Sequence, residues 1–375
     1  MEETRNPAAQ SGSAGLAALS AGLARCLAKE NADSNLVFSP LSIYAALALL
    51  AAGARGDTKN EILRILGAPS RRQLRKFVSR VAQDALTDQS GSGGPRVAFA
   101  CGVWSDLTCP LKAAYRSTVV DKFKAEASNV DFIHNKEAAR GQINAKKCTR
   151  NRKFYRLDGG HVNVPFMESG WFQFIAVHDG FKVLKLRYQM AQAQDYAEVS
   201  SDRKKRNKLS SEYTQFSMCI FLPDARDGLP DLVDTIASQH GFLHEHLPNK
   251  KVCVNELRLP KFKLSFESSI VAILKKLGLE LTFGGKADLS RMVECELPVV
   301  VDEVIHKAVI EVNEKGTEAA AVTVVRVAKS CARRPPPRPP RVNFVADHPF
   351  AYFIVEEATG AVVFAGHVVD PSREN

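Results

Sequence analysis

His306-Lys307-Ala308-Val309-Ile310-Glu311-Val312-Asn313-Glu314-Lys315-Gly316-Thr317-Glu318-Ala319-Ala320-Ala321 is the stretch on which the reading of this chain turns. It closes a strand read over residues 300–312 and then passes through Gly316 into a second alternating run. A strand that enters the middle of a sheet buries alternate side chains. Every second residue from Thr317 gives Ala319, Ala321, Thr323, Val325 and Val327, all small or β-branched and none charged. The opposite face holds Glu318, Ala320, Val322, Val324, Arg326 and Ala328, where both charges stay in solvent. No proline intervenes before Pro335, so every backbone N–H is able to join a ladder. An alanine-rich helix start competes with this reading, but the run Val322-Thr323-Val324-Val325 favours a strand.

Downstream lies Arg333-Arg334-Pro335-Pro336-Pro337-Arg338-Pro339-Pro340-Arg341. This composition adopts polyproline II and makes a stiff, charged spacer, or else a ligand for a proline-reading domain. Upstream, helical spacing predicts helices over residues 15–27, 40–53 and 71–85, the second opened by Ser39 as cap and Pro40 in the first turn. Residues 229–239 and 268–277 also read as helices, the latter ended by Gly278. Strands are expected over 96–105, 162–166, 172–177, 183–188, 216–222, 252–260, 262–266, 351–355 and 362–368. The mixture is neither alternating βαβ nor all-β, which makes the fold class α+β with large antiparallel sheets.

The chain has 375 residues, with 51 Lys and Arg against 41 Asp and Glu. The formal charge of +10 would suit an acidic partner, but the excess sits largely in short runs. Two of these are Lys146-Lys147-Cys148-Thr149-Arg150-Asn151-Arg152-Lys153 and Arg203-Lys204-Lys205-Arg206-Asn207-Lys208. They read as solvated loops, and without a recognisable binding motif a nucleic-acid partner is not expected. The eight cysteines, Cys26, Cys101, Cys109, Cys148, Cys219, Cys253, Cys295 and Cys331, form no Cys-x-x-Cys pair and read as reduced thiols. No apolar run is long enough to span a membrane. The opening Met1-Glu2-Glu3-Thr4-Arg5-Asn6-Pro7 lacks a signal-peptide pattern, so the expectation is a cytoplasmic or nucleocytoplasmic protein, with leaderless release compatible.

Motifs for catalysis are absent: there is no Gly-x-Ser-x-Gly elbow, no His-Glu-x-x-His and no phosphate-binding glycine loop. His240, His244, Glu245 and His246 lie close in sequence but lack zinc-ligand spacing, and they read as a polar loop. No catalytic residue, metal or cofactor is expected, and the chain is not read as an enzyme.

Four passages resemble signatures of the serpin family. They are Asn35-Leu36-Val37-Phe38-Ser39-Pro40-Leu41-Ser42-Ile43 running on to Gly53-Ala54-Arg55-Gly56-Asp57-Thr58, Leu259-Pro260-Lys261-Phe262 with Leu277-Gly278-Leu279, the opening stretch from His306, and Phe344-Val345-Ala346-Asp347-His348-Pro349-Phe350 with Gly366-His367-Val368. They occur in family order, and the wording of 221–229 and 344–349 is similar to the plant branch. The resemblance implies one domain over 1–375, three β-sheets and eight or nine helices. It also implies a reactive-centre loop over 316–343, hinged at Gly316, Thr317, Glu318, Ala319, Ala320 and Ala321. A serine protease, trypsin-like or of another class, or a cysteine protease, would cleave it and be trapped as an acyl-enzyme when the loop inserts into the main sheet. Family spacing puts the reactive bond at Ser330-Cys331; a one-residue shift gives Lys329-Ser330, which a trypsin-like protease would prefer. Ser39, Ser42 and His306 match a polar cluster beneath the sheet opening. A monomer is expected.

One region departs from the family. After Arg140-Gly141-Gln142-Ile143-Asn144 the chain passes through residues 145–153 and rejoins the pattern at Phe154-Tyr155-Arg156-Leu157-Asp158-Gly159. Several dozen residues are missing, among them most of a helix over the main sheet and the central strand bordering the insertion gap. Losing that strand orphans ladder groups at about 1–3 kcal/mol each. The alternative function is therefore a non-inhibitory binding protein on the serpin shell. In that case Thr317 to Val327 would fill the vacancy beside Val312 without cleavage.

Overall fold

The computed structural model describes residues 7–85, 102–106, 111–122, 126–130, 149–188, 215–239, 241–294, 300–312 and 341–374. The N-terminal part is helical: α1 (Pro7–Glu30), α2 (Pro40–Gly53), α3 (Gly56–Ile65) and α4 (Arg71–Ala85), with the short β1 (Leu36–Phe38) before α2. Helix α2 is apolar all round, and Leu41, Ile43, Tyr44, Leu47, Ala48, Leu49 and Ala51 are all buried, as such a helix requires. Its start is set locally: the Ser39 hydroxyl accepts from the Ser42 N–H at 3.2 Å, and Pro40 occupies the first turn.

The remaining elements are β2 (Gly102–Asp106), α5 (Ala113–Ser117) running into a π-helical turn, β3 (Glu126–Val130), β4 (Thr149–Tyr155), β5 (His161–His178), β6 (Phe181–Arg187), β7 (Phe216–Pro223), α6 (Leu229–Ser238) and α7 (Phe242–Glu245). Then follow β8 (Lys251–Pro260), β9 (Phe262–Ser269), α8 (Val271–Lys276), β10 (Ile305–Val312), β11 (Val342–Val345), β12 (Phe350–Glu356) and β13 (Val362–Val368). The described residues thus hold eight α-helices and three sheets, and the fold is α+β. The large sheet runs β1-β13-β12-β7-β6-β5-β8-β11, with β4 also on β5; every pairing is antiparallel except β11 on β8. Its middle strands β7 and β12 are buried at every position, because both faces are covered.

The other two sheets are pairs, β9 with β10 antiparallel and β2 with β3 parallel. Among the described residues no strand joins them. On β10 the residues alternate: His306, Ala308, Ile310 and Val312 point inward, and Ile305, Lys307, Val309 and Glu311 point outward.

Several expectations are corrected. Thr149 to Lys153, read as part of a basic loop, belong to β4, whose register on β5 pairs Arg152 with Val164 and Phe154 with Val162. An edge strand tolerates such charge because its outer side faces solvent. The two strands at 162–166 and 172–177 are one strand, β5, with a register shift between Ser169 and Trp171 on β8. Ser268 and Ser269 extend β9, which shortens the helix after them. Residues 300–304 precede β10 and are not strand. Helix α3 has no counterpart among the expected helices. Of the strand expected at 96–105, only 102–105 lies within the described residues.

Candidate functional site: the support beneath the loop-bearing strand

β10 ends at Val312, just before the segment expected to form the loop, and its anchoring defines the candidate site. Ser39 is the tie point. It sits in extended backbone at the end of the segment from β1 and caps α2. Its backbone N–H donates to Nε2 of His306 at 3.0 Å, and its hydroxyl donates to the Val363 carbonyl of β13 at 2.6 Å. One residue therefore binds the first turn of α2, the large sheet and the small sheet. Both Ser39 and His306 are buried. Of the three residues expected in the polar cluster, Ser42 takes part through its backbone N–H to Ser39.

Burial pushes the His306 imidazole down to about 4, well below the ordinary histidine value. The geometry requires the same state: Nε2 accepts a hydrogen bond, so it carries no proton, and the ring is neutral with its proton on Nδ1. Protonating Nε2 would turn the bond into a contact between two donors in a dry site.

The other passages that carried the resemblance also prove to be long-range tie points. Asn35 donates from Nδ2 to the Asp370 carbonyl at 2.8 Å and accepts from the Val369 and Asp370 N–H groups at 2.9 and 3.0 Å. Thr58 accepts from the Asp288 N–H at 2.9 Å. His348 bridges the Asp347 carboxylate and the Pro223 carbonyl, at 2.9 and 2.7 Å. At Gly366 any Cβ would overlap the Leu36 carbonyl oxygen, since β1 lies against β13 there. Sequence reasoning missed Val363, whose part is played by a backbone carbonyl that any residue carries. It also missed Glu61, whose carboxylate caps the turn at 280–282 by accepting from three backbone N–H groups and from the Thr282 hydroxyl.

The hinge residues Gly316 to Ala321, the candidate bond residues Lys329, Ser330 and Cys331, and residues 333–340 of the Arg/Pro run lie outside the described residues. Val312 ends β10 in the small sheet, and Val342 opens β11 on the edge of the large sheet, so the loop joins two sheets. Two histidines of the early cluster diverge: His244 Nε2 contacts the Gly360 carbonyl, and His246 Nδ1 contacts that of Phe242 while its ring stacks on Phe242 at 3.9 Å. Among the described residues no group of His, Cys, Asp and Glu is placed to hold a metal ion, and no helix is long and apolar enough to cross a membrane. Cys26, Cys219 and Cys253 are free thiols, and burial pushes Cys219 up to about 12.

An α+β shell of one large antiparallel sheet and a smaller one, with β10 anchored from below through His306 to Ser39, is the arrangement of the serpin fold. Comparison with known proteins agrees. The family described as Serpin (serine protease inhibitor) matches residues 14–147 and 145–371, two segments that meet where the sequence departs from the family pattern. A rice serpin-Z homologue, Z8 of Oryza sativa subsp. japonica, is 46% identical over 96% of this chain and 96% of its own. That alignment is 418 positions long against 375 residues here, so dozens of its positions have no counterpart in this chain. Serpin-Z2B of the same species is 43% identical over 96% and 97%. Arabidopsis AtSerpin1, in its native stressed conformation, superposes with a TM-score of 0.79 at 32% identity, covering 99% of this chain and 100% of that one. Serpin48 of the insect Tenebrio molitor shares the fold, with a TM-score of 0.72 at 22% identity over 96% and 98%. The chain belongs to the serpin family, in its plant-type branch. Serpins are protease inhibitors and not enzymes.

Proposed function

We propose that this chain is a single-domain suicide inhibitor of a serine endopeptidase, trypsin-like in preference, with its reactive-centre loop over 316–343. The observation that carries the proposal is the anchoring of β10 through His306 to Ser39, six residues before the strand ends at Val312 and hands the chain on towards the hinge at Gly316. In this reading the protease serine attacks the carbonyl of Ser330, or of Lys329 in the shifted register. An ester forms, the peptide bond breaks, and the amine of the following residue leaves. Freed at that end, Thr317 to Val327 extends antiparallel beside β10 with Ala319, Ala321, Thr323, Val325 and Val327 on one face. The exposed edge gains ladder bonds, and the tethered protease is carried away from its working geometry.

Mixing the protein with trypsin and with a cysteine protease, then running denaturing gels, tests the reading. A covalent complex of summed mass with trypsin is expected. Cleavage between 329 and 331 with no complex, together with an unchanged melting temperature, would replace it with the loop-occupied, non-inhibitory form.

A further inference from the structure

The C-terminal end of α2 gathers four cations from four parts of the chain. Arg55 follows the helix, and its N–H donates to the Asp288 carbonyl at 2.9 Å. The Arg291 N–H donates to the Gly53 carbonyl at 3.2 Å. Arg71, which opens α4, donates from one Nη1 to the Ala52 and Ala54 carbonyls at 3.3 and 3.2 Å. Lys112 reaches the Ser290 carbonyl with Nζ at 2.9 Å. The Arg71 side chain is thereby held on the segment Ala52-Gly53-Ala54 and that of Lys112 on the turn at 288–291, while the two backbone bonds bring Arg55 and Arg291 to the same place.

Among the described residues the Asp288 carboxylate, built into the same turn, offsets part of this charge: hydrogen bonds from Ser290 first, and then the charge of Arg55, hold its carboxyl below the usual value. Its Oδ1 is committed to the Ser290 N–H at 3.2 Å and the Ser290 hydroxyl at 2.7 Å. None of the four cations forms an ion pair with a described carboxylate. Burial first, and then Arg291 and Arg55 beside it, pull the Arg71 guanidinium below its usual value. Like charges drawn together by unrelated backbone contacts repel one another, and an oxyanion set among them relieves the repulsion. Guanidinium forks match the oxygens of phosphate and sulfate, with lysine adding a point charge.

We propose that Arg55, Arg71, Lys112 and Arg291 form a binding site for a phosphate- or sulfate-type oxyanion, free in solution or carried on a larger anion. The site uses no residue of 316–343 and is independent of the inhibitory reading. The test is thermal unfolding of the whole chain in inorganic phosphate against chloride at matched ionic strength, for the native sequence and for Arg55→Gln with Arg291→Gln. Both substituted side chains are exposed and lend only backbone groups to the fold, so the variant is expected to fold. In the native sequence the melting temperature rises with the logarithm of phosphate concentration, and the variant needs at least about tenfold more phosphate for the same rise. Linear polyphosphate is the second probe. Tighter binding per phosphate than inorganic phosphate assigns the site to a larger anion, and equal binding assigns it to the free ion. An identical response to phosphate and chloride, or an unaltered response in the variant, overturns the proposal.

Discussion

Strands β7 and β10 are both eight residues long and follow opposite rules. β7 is flanked by β6 and β12 and buried at all eight positions. β10 has β9 as its ladder partner among the described residues, and every second side chain faces out, with Ile305 63% and Val309 49% exposed. A strand paired on both edges and covered on both faces cannot change partners without breaking a ladder. A strand covered on one face and paired on one side is able to accept a new neighbour while its inner face stays in place. Among the described residues β7 is thus paired along both edges and β10 along one. Ser39 joins the large and the small sheet with one hydrogen bond to each.

The sharpest way to break this contrast is to truncate a side chain on each strand. Phe221→Ala on β7 leaves a cavity in a dry core and is expected to cost about 3–5 kcal/mol, enough to abolish soluble expression. Val309→Ala, on the outer face of β10, should cost less than about 1 kcal/mol. Chemical denaturation of both variants checks this; equal losses would mean that the outer face of β10 is covered after all.

Cleavage of the loop near Lys329 is the next largest effect. If β10 takes the loop as a new neighbour, the melting temperature should rise by about 5–10 °C, on the scale of several kcal/mol of added strand in a chain of this size. Calorimetry before and after limited trypsin digestion reads it directly. No rise would show that the vacancy beside β10 was filled before cleavage.

His306 comes third. Its value is lowered in the folded chain, so the unfolded chain holds more protons between about pH 4 and the ordinary histidine range. Stability from this group is therefore full near neutral pH and is lost as pH falls through that window, by up to about 3 kcal/mol. Urea midpoints at pH 7 and pH 4.5 should diverge more for the native sequence than for His306→Gln. Parallel curves would refute a neutral, buried imidazole at the junction of the two sheets.

The smallest effect belongs to the edge of the large sheet. Arg152 on β4 pairs with Glu168 on β5 at 3.1 Å, half in solvent. Arg152→Ala should cost less than about 1 kcal/mol, falling further at high salt. A larger loss would assign this strand a part in stability that its exposure does not suggest.

Local signals were legible where the physics is local. The bounds of α2 and α4 coincide with the expected 40–53 and 71–85, since capping and helical spacing depend on neighbours three or four residues away. β4 was not legible, because charge on a short run looks the same in a solvated loop and on an exposed edge; only pairing with residues 161–167 distinguishes them. The continuity of β5 was hidden for a similar reason: its polar centre, Glu168-Ser169-Gly170, breaks the apolar pattern, while the strand runs on and its ladder with β8 resumes at Trp171 after a register shift.

The sequence by itself determined the family, through motifs in order, and the alternation of Thr317 to Val327, because period-two patterning is a property of consecutive residues. Only the tertiary structure decided what those motifs hold. Ser39 and His306 stand 267 positions apart, and nothing in either residue type announces that a backbone N–H will meet an imidazole nitrogen. The charge on that imidazole was likewise undecided until folding excluded water from it. Proton affinity depends on burial and hydrogen-bond partners, and both come from chain segments that meet only in the folded molecule.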